Sequence, residues 1–188
     1  MLLTVAMLVS GSVFASETVF EALSAMNRHV VADQAHTMGL EWKKGDRNEY
    51  KMNAAMGMIQ GSMIMEVREI TAEGIWVDQS VDAGAMGKQQ SSTLFDKDTG
   101  AIKKIISDGK EQEIPKSNIE VIETKEDKIT VPAGTFECIH ARLKDKDANQ
   151  EVNIWANPAA IPLSGMLKMV RPFQFGEIQI ELTKFTKN

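Results

Sequence analysis

Cysteine, histidine and tyrosine are nearly missing from this chain: one Cys, three His and one Tyr among 188 residues. Cys138 therefore has no intrachain partner, and no disulfide staples the fold. His29 and His36 stand seven apart, the wrong spacing for chelation within one helical turn, so no metal ligand is assigned. No apolar run reaches the roughly 20 residues that a membrane-spanning helix needs. Basic charge is also short, with 21 Lys+Arg against 26 Asp+Glu and a net charge of −5. With no basic stripe to neutralise a phosphate backbone, nucleic acid is not an expected partner. Gly-x-Ser-x-Gly, His-Glu-x-x-His, phosphate-loop and dinucleotide fingerprints are all absent. No catalytic residue and no cofactor follow from the sequence, and the chain is not expected to be an enzyme.

What is present begins with MLLTVAMLVSGSVFA, an uncharged apolar run ending in Val13-Phe14-Ala15. Small residues stand at the two positions a signal peptidase reads, so 1–15 is expected to be a signal peptide cleaved after Ala15, exporting the chain to a bacterial periplasm. A buried N-terminal strand or helix is the alternative reading. Residues 16–188 are one domain's worth, with 43% hydrophobic residues, enough to bury a core without staples.

Thr18-x-x-Glu21 has capping-box form, and Val19, Leu23, Met26 and Val30 recur at helical spacing, predicting one helix over 18–35. The period then changes to two. Leu40 and Trp42 alternate with Glu41 and Lys43, Gly45-Asp46-Arg47 turns the chain, and Tyr50 and Met52 return, predicting a first hairpin. Further strands are predicted at 62–70, 75–81, 89–95, 102–107, 119–123, 128–131, 136–144, 151–155, 166–170 and 177–185. Short strands joined by short polar turns argue for an antiparallel sheet. Its apolar face needs a cover, which the early helix or a ligand would supply.

Methionine is in excess, twelve in all, with Met52, Met56, Met58, Met63 and Met65 in one segment. Being unbranched and polarisable, they suit an adaptable wall for acyl chains, and equally a core that fills irregular gaps. Thioether capture of Cu(I) is a third reading, although no His or Cys interleaves with the cluster. Cys138 and His140 share a strand face, but no orienting third group or oxyanion site accompanies them. Asp96-Lys97-Asp98-Thr99-Gly100 and Asp145-Lys146-Asp147-Ala148-Asn149 begin like calcium loops and fail at later ligand positions, so both are read as hairpin turns. Pro158 and Pro162 cannot donate to a ladder, so 155–170 is read either as an apolar lip or as a loop folded over one end of the core.

Three features carry a family resemblance: the Thr130-Val-Pro-Ala-Gly-Thr-Phe136 turn, Trp155 with its proline-flanked approach to Gly165-Met166-Leu167-Lys168, and a last strand with Ile178, Ile180 and Leu182 on one side and Glu177, Gln179 and Glu181 on the other. Together with the leader they resemble the LolA-like periplasmic proteins. The resemblance implies a mainly β (α+β) fold, a curved antiparallel half-barrel sheet enclosing an N-terminal helix, with lipid or a lipoprotein's acyl groups held in the concave face. It also implies a basic residue near the cavity mouth, for which Arg47, Arg68 and Arg171 are candidates, none of them in a motif.

The expected function is thus a periplasmic binding protein for a hydrophobic ligand or lipoprotein. From the apolar strand faces, Met63, Met65, Val67, Ile75 and Val77 are expected to line the site early in the chain. Ile139, Met166, Leu167, Ile178, Ile180 and Leu182 would line it late. Two alternatives stand beside it: an envelope scaffold or regulator engaging a protein partner at the rim, and a Met-rich copper-handling protein.

Overall fold

The structure, a computed structural model, describes residues 40–54, 57, 59–84, 87–114, 118–146, 148–173 and 176–188. The expected signal peptide and helix, His29, His36, Met56 and Met58 lie outside the described residues. The described chain is mainly β, with almost no helix. It forms eleven strands: β1 (Arg47–Ala54), β2 (Ile59–Ile70), β3 (Ile75–Asp82), β4 (Lys88–Phe95), β5 (Ile102–Ser107), β6 (Lys110–Gln112), β7 (Ile119–Val131), β8 (Gly134–Asp145), β9 (Gln150–Ala156), β10 (Met166–Phe173) and β11 (Gly176–Thr186).

All eleven belong to one open antiparallel sheet, ordered β6-β5-β4-β3-β2-β1-β11-β10-β9-β8-β7. Each strand pairs with its neighbour in sequence, except at two places. β1 pairs with β11 in the middle of the sheet, and β6 and β7 are left as the two edges. A flat sheet would hold β8 about 14 Å from β11, three strand spacings away. Yet Ala133 N, in the turn between β7 and β8, donates to Leu182 O of β11 at 3.1 Å, and Phe136 meets Phe185 at 6.3 Å between ring centroids. The outer hairpin therefore bends back over the sheet, and the sheet is curved.

Two expectations need correction. The first hairpin does not form, because 40–46 runs outside the ladder: Leu40 N donates to Lys97 O at 2.7 Å, and Lys43 N to the Asp46 carboxylate at 2.8 Å. With those donors used elsewhere, Tyr50 and Met52 find their partners on β2 and β11 instead. The strands expected at 119–123 and 128–131 are one strand, β7, with an irregularity between Val121 and Glu123. The short strand β6, Lys-Glu-Gln, carries no apolar residue for a period-two signal.

Candidate functional site

Alternation along each strand sorts the sheet into two faces. The inner face carries the core, and cross-strand rows show how it is assembled. One row runs Met52–Ile180–Met169–Ile154–Ala141 across β1, β11, β10, β9 and β8. A second runs Leu182–Tyr50–Met63–Val81 across β11, β1, β2 and β3. Met63, Met65, Val67, Ile75, Val77, Met166, Leu167, Ile180 and Leu182 are all buried in this core. Ile178 is half-buried against it, and Ile139 is half-buried but stands outside the core cluster. The core of β8 is made instead by Cys138, Ala141 and Leu143.

One end of the inner face is covered by two segments of the chain itself. Residues 157–165 form a closed loop between β9 and β10, its neck fastened by Asn157 N donating to Gly165 O at 2.9 Å. Ile161 and Leu163 from this loop are 0% and 3% exposed, so the apolar lip is a loop folded over the core. Polar groups of β1 hold it there. Asn48 Nδ2 donates to Pro162 O at 3.0 Å and to the Tyr50 hydroxyl at 3.0 Å, and that hydroxyl donates to Met166 O at 3.3 Å. Burial raises the pKa of the Tyr50 phenol, so it remains a neutral donor. From the segment 40–46, Trp42 Nε1 donates to Leu163 O at 3.1 Å while its ring meets Phe95 edge-on at 5.2 Å.

At the other end the inner face is less fully covered. Met52, Val81 and Ile178 are half-buried there, and Arg171 stands opposite Ile178. Arg171 lies opposite Ile178 of β11 and two residues beyond Met169 on β10, so its side chain emerges on the apolar face. The other described arginines each reach two carboxylates: Arg47 meets Glu49 and Glu66, Arg68 meets Glu69 and Asp78, and Arg142 meets Glu123 and Glu151. Arg171 reaches none among the described residues, and its buried Nε has no hydrogen-bond acceptor. Burial lowers its pKa, and the nearby Asp145 charge opposes that shift. A neutral buried donor left unpaired costs about 1–3 kcal/mol, and a charged one more.

Cys138 and His140 do not hydrogen-bond to each other. Cys138 Sγ donates to Asp127 O at 3.5 Å, and its pKa is pushed up to about 11 by burial and by the negative charges of Asp127 and Glu137. His140 is engaged elsewhere: its ring stacks on Trp155 at 4.3 Å and its Nε2 meets Asn153 Oδ1 at 3.0 Å. The pairing of Cys138 with His140 thus stops at shared strand and face. The two acidic segments are turns. Asp96 Oδ1 accepts from Asp98 N, Thr99 N and Thr99 Oγ1, and Asp145 Oδ1 accepts from Ala148 N. Met63 Sδ accepts from Gln79 Nε2 at 3.5 Å inside the core.

No protein-family model matches the chain, and no curated protein matches it. Among solved structures it is similar to a Bacteroides fragilis protein with a YmcC-like fold, designated an exported protein. That likeness has 10% identity and a TM-score of 0.46, over 79% of this chain and 99% of that one. It is also similar to a hypothetical protein from Chlamydia trachomatis, at 11% identity and TM-score 0.45, over 78% of this chain and 88% of that one. MucB is a third, at 9% identity and TM-score 0.43, over 95% of this chain and 60% of that one. At these distances the likenesses assign neither a family nor an activity.

Proposed function

We propose that the protein is a non-catalytic, periplasmic binding protein that holds an acyl chain against the inner face of its curved sheet. The observation that carries this reading is the difference between the two ends of that face. One end is sealed by Trp42, Ile161 and Leu163, while at the other Met52, Val81 and Ile178 remain half-buried on a sheet whose edges stay open. Each CH₂ taken out of water contributes roughly 0.8 kcal/mol, so an apolar trough of this kind needs little polar recognition. The uncharged leader supports export. The high pKa of Cys138 and the engagement of His140 favour binding over catalysis.

A second reading draws on the sealed end: a chain that fills its own trough would act as an envelope scaffold and meet a protein partner at the rim. Native mass spectrometry of the protein purified from a bacterial periplasm without detergent separates the two, followed by lipid extraction and elemental analysis of the same sample. Bound mass that extracts as acyl lipid is the expected result. A clean apo mass, with no uptake of added acyl ligand, would overturn the carrier in favour of the scaffold, and bound copper would favour metal handling.

A further inference from the structure

We infer that the inner-face ligand carries an uncharged head rich in hydroxyls, a sugar on an apolar chain, and that a polar patch on the inner face of β3, β4 and β5 holds that head. The inference rests on the binding reading above and adds the chemistry of the head group.

The inner face is not uniformly apolar. Across β8 to β11 it is built from Ala141, Ile154, Met169 and Ile180, but across β3 to β5 it turns polar toward the less covered end. Met65, Gln79, Ser91 and Ser107 form one cross-strand row over β2, β3, β4 and β5. On either side of that row, Gln89 faces the half-buried Val81 and Thr93 faces Val77. From strand spacing and rise, these five polar side chains cover about 10 Å by 13 Å. Gln89 Nε2 donates to Ser107 Oγ at 3.4 Å, which ties β4 to β5 within the patch. Gln79 and Thr93 are 7% and 6% exposed, and the Gln79 amide nitrogen donates to a weak acceptor, the Met63 thioether, at 3.5 Å.

Among the described residues no carboxylate stands on these rows, and the cation they reach is Lys110, exposed on the edge strand β6 opposite Ser107. Asp78, Asp82 and Lys88 fall on the outer face, where Asp78 pairs with Arg68 and Asp82 with Lys88. Arg171 is on β10, with β11, β1 and β2 between it and β3. A charged head laid on the patch would lose water without gaining a counter-charge, which costs far more than burying a neutral group that is hydrogen-bonded. Amides and hydroxyls both donate and accept, as the hydroxyls of a sugar do, so the two surfaces match group for group. The half-buried Met52 and Ile178 lie at the same end of the face, so a chain leaving the patch would run along apolar side chains.

The experiment measures displacement of a bound apolar fluorophore from the full-length exported protein by dodecyl maltoside, dodecanol and dodecanoate, all below micelle-forming concentrations. The wild type should bind the maltoside about tenfold or more tightly than the alcohol or the acid, the preference that about two or three net hydrogen bonds supply. Thr93→Val combined with Ser91→Ala and Ser107→Ala should reduce that preference to less than about twofold. Thr93→Ser, which keeps the hydroxyl, should preserve it. Equal affinity of the wild type for maltoside and alcohol would overturn the inference while leaving the binding reading intact, and it needs no variant to fold. Tightest binding of dodecanoate would overturn it in favour of an anionic head, and an undiminished maltoside preference in the triple variant would overturn it as well. Failure of the wild type to bind any of the three probes would sink the binding reading itself.

Discussion

Gly165 decides how the loop over the core closes. It sits at φ +70°, and a Cβ there would fall 2.5 Å from Pro158 Cα and Pro158 N, backbone atoms that cannot swing aside. Gly165→Ala should cost about 1–3 kcal/mol from the left-handed backbone alone and more from the clash, read as a lower denaturant midpoint with an unchanged m-value. Such positions differ in how they show in a sequence. The turn after Val131 is legible because proline presets one dihedral and glycine relieves another, and Asp96 is legible because its short carboxylate folds back on Asp98 and Thr99. Leu163, at φ 57°, is not legible, since nothing local marks a leucine held left-handed by the loop around it. Arg171 is named from the sequence only through the resemblance, beside Arg47 and Arg68, and nothing local sets it apart from them. What separates it from Arg142 is which side chains stand on the adjacent strands, and that is fixed by register.

Strands β1, β11 and β10 are tied on the outer face by a ladder centred on Glu181. Its carboxylate meets Lys51 Nζ at 2.8 Å and Lys168 Nζ at 3.1 Å, and accepts from Gln179 Nε2 at 2.7 Å. Burial opposes ionisation of Glu181, but the three partners outweigh it and its pKa is lowered. The stability this supplies is present above the unfolded carboxylate pKa of about 4.3 and is lost as pH falls through the lower folded value. Glu181→Gln should therefore destabilise near neutral pH and flatten the fall in melting temperature on the acid side, measured by thermal unfolding from pH 7 to 3. At the sheet's edge, β7 is thirteen residues long and exposed from Ile122 to Glu126, and its charged side chains oppose pairing with another chain. Lys125→Val combined with Glu126→Val should yield concentration-dependent dimers in size-exclusion chromatography with light scattering. The same charges explain why β7 is read from the sequence as two strands. An edge strand wetted on both faces loses the alternation that marks β2, β3 and β11, whose one buried side writes the period into the chain.

For the molecule as a whole, strand content was legible and strand order was not. Hairpin turns announce which neighbours pair, so the meander from β1 to β6 and that from β7 to β11 follow from local signals. Pairing of β1 with β11 has no local signal, since it joins residues at opposite ends of the described chain. Removing 176–188 should leave two separate meanders, each with its apolar face half-assembled, and should abolish the single cooperative thermal transition seen by near-ultraviolet circular dichroism. That central seam also sets the order of events as the protein folds. The Thr183 hydroxyl reaches Glu49 O across 134 residues, whereas Thr130 meets Thr135 across 5. Closing the longer loop costs about 3 kcal/mol more in chain entropy, so the two meanders form quickly and the seam forms late. Until it does, β1 and β11 are bare edges built to fit each other, and two chains that meet in that interval can exchange halves as readily as one can close on itself.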